Sequence, residues 1–291
     1  MTVFKAFRMV GQTGKGQFAY TVLGLLILLA AMSYVWLPHD PNYAQGWNAW
    51  LPMSLEHPLG TDGSGRDVAS RLIAGTRITV LVAVGTGIVS GVIGVVLATA
   101  QTLGPKLLRE PLAIFIDVLI AFPTLLMAIM FTAVFTGGIP IVIIAVGVGF
   151  GVQIARVVRA EMRQILGADY ILAARASGVT GFRLLMRHIL PNISSVLTVQ
   201  ISLSMGLAIL AESGLSYLGF GAPPGVSSWG RMLEETQRYI SIHPEVVFWP
   251  GFAITLTVLA FYLLGDALRE TLDPKLTKKQ VLRRTSLGVQ G

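Results

Sequence analysis

Apolar residues along this chain gather in six long runs rather than alternating: residues 18–37, 78–103, 111–135, 139–158, 193–220 and 246–265. A hydrocarbon core takes about 20 apolar residues per helical crossing, and backbone polar groups in lipid must bond within their own segment. The pattern therefore predicts an all-α polytopic membrane protein with six transmembrane helices. The first run, at about 20 residues, is longer than the apolar region of a usual signal peptide and is read as the first span. Residues 1–17 and 266–291 are then tails flanking a single membrane domain over 18–265, with outer loops at 38–77 and 221–245 and a cytoplasmic loop at 159–191.

Composition agrees: 53% of the residues are hydrophobic and only 13% charged. The net charge of +7 would suit nucleic acid or anionic lipid, and placement decides between them. Lys5, Arg8 and Lys15 precede the first run, Lys106 and Arg109 separate the second from the third, and Arg156, Arg159, Arg163, Arg175, Arg183 and Arg187 follow the fourth. Arg269, Lys275, Lys278, Lys279, Arg283 and Arg284 follow the sixth. With six crossings all of these share one side, and only Arg66, Arg71, Arg77, Arg231 and Arg238 fall on the other. By the positive-inside rule both termini are cytoplasmic. The charge is topology, and no nucleic-acid partner is expected.

Several familiar chemistries are excluded. There is no cysteine, hence no disulfide and no thiolate nucleophile. Gly14-Lys15 lacks the glycine and the hydroxyl residue of a phosphate-binding loop, so the first 17 residues are expected to be a flexible tail. Asp62 and Asp67 miss the spacing of a calcium loop, and Asp67 is expected to cap a helix over 67–77 lying along the outer surface before the second span. The four histidines are dispersed, and no metal is expected. No nucleophile elbow or other hydrolase arrangement occurs within the spans.

Two carboxylates do fall within the spans, Asp117 and Glu212, where a charge at mid-membrane costs about 2.5–3.5 kcal/mol on insertion scales. Each lies toward the end of its helix, and packing or gating is preferred to a proton relay. Pro123 should kink the third span. Gly85, Gly87, Gly91 and Gly94 in the second span, with Gly147, Gly149 and Gly151 in the fourth, should allow helices to approach closely.

The loop at 159–191 is too long for a mere connector. Leu166, Tyr170, Ala173, Ala174 and Ser177 follow helical spacing, as do Phe182, Leu185, Met186 and Ile189, with Gly178 placed for a left-handed turn between them. A helix lying on headgroups would carry Leu, Phe or Trp at positions 173, 174, 177 and 178. The small side chains found there favour close approach by a partner protein instead.

These residues resemble a family. "LAARASG" followed by "HILPN" is similar to the cytoplasmic EAA loop of binding-protein-dependent ABC transporter permeases, with Ala173, Ala174, Gly178, Leu190 and Pro191 matching, and Leu172 and His188 departing from its Glu and Ile. The stretches "HPLGTDGSGRDVASRLIAGTR" and "LAESGLSYLGFGAPPGVSSWG" resemble the second permease of dipeptide, oligopeptide and nickel importers. The resemblance implies a type I importer permease fold in a bacterial plasma membrane. The implied partners are a homologous second permease, two cytoplasmic ATPase subunits and an extracytoplasmic substrate-binding protein. It further implies that this chain binds no cofactor, that ATP and Mg sit on the ATPases, and that a coupling helix around Ala173 to Gly178 carries their motion to the bundle. Peptides lead as cargo, with nickel or another metal chelate as the alternative; a proton-coupled secondary transporter using Asp117 and Glu212 would not need such a loop.

Overall fold

A computed structural model describes residues 3–135 and 137–272. Among them the regular structure is helical: α1 (Val3–Val10), α2 (Gly14–Ser33), α3 (Val68–Leu103), α4 (Lys106–Ala121), α5 (Thr124–Val134), α6 (Ile139–Leu166), α7 (Asp169–Ala176), α8 (Gly181–Leu184), α9 (Leu190–Tyr217), α10 (Trp229–Thr236) and α11 (Pro244–Leu272). A π-helical turn at Leu185–Ile189 joins α8 to α9. Among the described residues five continuous helices are long and apolar enough to cross a membrane, and α4 with α5, which pass the same test together but meet at 89°, bring the number to six when counted as one broken span. The break falls at Phe122 and Pro123, where the proline ring removes a donor and pushes the preceding residue out of helical geometry. Pro123 thus breaks the span outright, a stronger effect than the expected kink.

Three expectations about boundaries change. Residues 67–77 do not form a separate surface helix; Asp67 caps their start by accepting from Ser70 N–H at 2.7 Å, but the helix runs on unbroken through the second span. At 36 residues it is about 54 Å long, well beyond a hydrocarbon core of about 30 Å, so its first turns stand clear of lipid. The N-terminal segment is not a free tail: it folds as α1, and Val10 is buried with Val199, Ala267 and Leu268. Lys15 bonds Asp266 at 2.6 Å and Glu270 at 2.8 Å, fastening the start of α2 to the end of α11. The sixth span accordingly continues to Leu272, past the expected end at 265; Lys275, Lys278, Lys279, Arg283 and Arg284 lie outside the described residues.

The glycine positions explain the packing of the central helices. A Cβ on Gly147 would come within 2.6 Å of Val89, one on Gly151 within 2.8 Å of Ile93, and one on Gly94 within 2.5 Å of Ile154, so α3 and α6 touch backbone to side chain. Gly87 and Gly91 face α9 instead, at Met205 and Ile201. Around this contact α9 packs on α3, α6 and α11, and α2 on α3 and α11. The α4–α5 pair is peripheral, with Ile114, Phe115, Val118, Leu126 and Met130 exposed.

Candidate functional site

The segment singled out by sequence forms a short, largely exposed helix at one end of the bundle. α7 contributes a single buried side chain, Ile171, which joins Met162 and Ile165 of α6, Leu184 of α8, Ile189 of the π turn and Ile193 of α9 in one apolar cluster. Everything else on α7 faces out or nearly so: Tyr170, Leu172, Ala173, Arg175 and Ser177 are exposed and Ala174 is half-buried. Its end is a Schellman motif, with Val179 N–H donating to Ala174 C=O at 3.0 Å and Gly178 N–H to Arg175 C=O at 2.9 Å. That geometry needs Gly178 at φ 84°, in the left-handed region where a side chain costs about 1–2 kcal/mol. A Cβ at Gly178 would meet nothing of this chain within 4 Å.

Beyond Gly178 the expected second helix is the beginning of the fifth span: residues Gly181–Tyr217 form one 37-residue helix. The π turn within it has a local cause. Pro191 has no N–H to give, and Leu190 N–H reaches back to Leu185 C=O, widening the helix by one residue. Leu190 and Pro191 therefore shape the joint between α8 and α9 and stand apart from the exposed α7 face.

At the opposite end of the bundle the structure joins two stretches about 160 residues apart in sequence. Arg71 on α3, with its side chain 4% exposed, donates to Asp62 at 2.6 Å and to Glu235 on α10 at 2.7 Å. Arg66 bonds the same two carboxylates at 2.8 and 2.6 Å, and Arg231 approaches Glu235 at 3.3 Å. Trp229, buried, donates its indole N–H to Leu72 C=O at 2.9 Å, so α10 is clamped to the first turns of α3. The network floors a polar cleft of about 380 Å³ lined by Ser64, Arg66, Glu234, Arg238 and Tyr239. Burial raises the tendency of Glu235 to hold its proton, but Arg71 and Arg66 outweigh it and keep the carboxyl below its ordinary value near 4.5. A depressed carboxyl contributes stability that is complete above about pH 4.5 and is lost as pH falls through the lower folded value. The gap in thermal unfolding midpoint between the unsubstituted chain and Glu235→Gln should accordingly be constant above that pH and close below it.

One comparison decides what kind of molecule carries both ends. Residues 90–278, which include α7 and the whole of α9, match the model of the binding-protein-dependent transport system inner membrane component family. The chain belongs to that family. An oligopeptide transport system permease of Bacillus subtilis, OppC, is 34% identical over 257 residues, 88% of this chain and 84% of the relative. A glutathione transport system permease of Pectobacterium atrosepticum, GsiD, is 38% identical over 253 residues, covering 87% and 84%. A nickel transport system permease of Escherichia coli K12, NikC, is 33% identical over 259 residues, covering 89% and 93%. The protein is thus a multi-pass membrane permease subunit with the type I importer fold, and it is not an enzyme.

Of the two carboxylates within the permease spans, Glu212 is buried, 2% exposed, and accepts from Ser216 Oγ at 2.6 Å. Ser216 Oγ in turn accepts from Ala222 N–H at 2.9 Å, so the pair ties the end of α9 to the turn leading into α10. Asp117 is exposed on α4, where it attracts Arg159 of α6. The two acids sit on different elements and share no bond among those described, an arrangement suited to separate packing roles. Sequence reasoning marked both but passed over Arg66, Arg71 and Glu235. Arginines at helical spacing beside a helix cap were the available signal; their acidic partner on α10 could not be paired with them from sequence.

Proposed function

We propose that this permease forms half of the translocation pathway of an ATP-driven peptide importer and that α7 is the element through which a cytoplasmic ATPase moves it. The observation that carries this reading is α7 itself: a short helix held by one buried side chain, Ile171, with small residues outward and open space beside Gly178. A partner surface can approach such a backbone closely. A force on α7 passes through Ile171 into α6 and α9 together, because all three share one apolar cluster.

In this reading a homologous second permease completes the pathway, two ATPase subunits bind ATP and Mg beneath it, and both termini lie on their side of the membrane. An extracytoplasmic binding protein delivers cargo to the opposite end, where the cleft above the Arg71 network and the exposed turn at 223–225 form the receiving surface. Peptide cargo is supported by the oligopeptide and glutathione permeases among the relatives; the nickel permease keeps a metal chelate as the second choice.

Ala174→Asp tests the docking directly, since it buries a charge in any close contact made there. The substituted chain should still insert in membranes, while recovery of the ATPase with it drops and ATP-dependent uptake falls in step. Full ATPase recovery together with unchanged uptake would remove α7 from the coupling path.

A further inference from the structure

The dispersed histidines, expected to be structurally unrelated, are not all apart. His39, from the segment after α2, and His57, from the loop before α3, converge on Asp67, the capping residue of α3, with three ligand atoms within 4.8 Å of one another. His57 Nδ1 lies 3.0 Å from Asp67 Oδ1 and His39 Nδ1 lies 3.9 Å from Asp67 Oδ2. His39 Nδ1 is shut off from water and has no hydrogen-bond partner; at 3.9 Å the carboxylate is too distant to be one.

We propose that His39, His57 and Asp67 bind a divalent transition cation of the zinc class at the end of the molecule opposite α7. Four observations support it. With metal–ligand bonds of about 2.0–2.2 Å and tetrahedral angles, ligand atoms sit about 3.3–3.6 Å apart; the two imidazoles approach the Asp67 carboxylate on either side of that range, 3.0 Å to one oxygen and 3.9 Å to the other. Two imidazoles and a carboxylate match the donor preference of zinc and disfavour magnesium and calcium, which take oxygen. The unpartnered nitrogen of His39 acquires the partner it lacks. Finally, the backbone at both histidines and the carboxylate are already held: the backbone N–H of His39 donates to Ser70 Oγ at 2.9 Å, Asp67 Oδ2 accepts from the backbone N–H of Ser70 at 2.7 Å, and the backbone N–H of His57 donates to Ser54 Oγ at 2.9 Å. Little chain ordering is left for the metal to pay for. Three protein ligands leave one tetrahedral position for water, and the ion clips the loop between α2 and α3 to the first turn of α3.

The full-length chain in detergent, stripped with a chelator and dialysed against Zn2+, should retain one zinc per chain, gain a higher thermal unfolding midpoint, and give a tetrahedral visible spectrum with Co2+. His39→Ala should weaken zinc binding by at least about tenfold and abolish the midpoint gain. It removes no described hydrogen bond of the metal-free site, only the ring contact with His57 at 4.8 Å, so its metal-free midpoint should lie close to that of the unsubstituted chain. His57→Gln should lose zinc as well. No stoichiometric zinc on the unsubstituted chain, or equal retention by His39→Ala, overturns the assignment; in the first case the His57–Asp67 contact is a hydrogen bond and nothing more.

Discussion

Gly178→Leu is expected to abolish ATP-driven uptake while leaving the permease inserted and folded. Two costs meet at this residue. A side chain at φ 84° adds about 1–2 kcal/mol of backbone strain, which the Schellman turn resists because its two hydrogen bonds fix that angle. Leucine bulk at the proposed ATPase contact adds about 1–3 kcal/mol. Since about 1.4 kcal/mol is a factor of ten, the two together should lower uptake by more than tenfold. Gly178→Ala separates them: it carries the strain with far less bulk, and nothing in this chain lies within 4 Å of the added carbon. Reconstituted vesicles read the result as uptake and as ATP hydrolysis stimulated by cargo. Wild-type uptake by the leucine variant would mean that the space beside Gly178 stays empty in the working importer.

Arg71→Ala is expected to be the most destabilising single change at the opposite end. Truncation leaves Asp62, whose side chain is 3% exposed, and the half-buried Glu235 without their central cation. Removing one partner of a buried ion pair costs about 3–5 kcal/mol. The lower end of that range applies, because Arg66 remains bonded to both carboxylates. Arg71→Lys should fall between, since a single ammonium does not span two carboxylates as the guanidinium fork does. Unfolding in detergent measures the loss, and protection of α10 backbone amides from hydrogen exchange locates it. An Arg71→Ala chain as stable as the unsubstituted one would show that the network contributes geometry without net stability.

The six spans were legible because lipid imposes one rule on every segment: long apolar runs with their backbone bonded internally. Pro123 and Gly178 were legible for a related reason, since each acts through its own backbone and needs no partner to do so. Boundaries were less so. The helix of the second span begins ten residues before its apolar run, its added turns held by polar bonds, Arg71 to carboxylates and Arg77 to Ser33. α1 reads as a polar tail until Val10 is seen closing a gap between α9 and α11.

Taken alone, the sequence determined what each segment must be: its helicity, its length as a span, and a run of small residues in a loop too long for a connector. Those are properties of neighbouring residues under a shared solvent. The tertiary structure decided which distant residues meet. Arg71 finds Glu235, and His39 finds His57 and Asp67, only because α10 and the segment between α2 and α3 fold against the first turns of α3. Such contacts depend on where whole helices stand relative to one another, and no local pattern of apolar and polar positions encodes that arrangement.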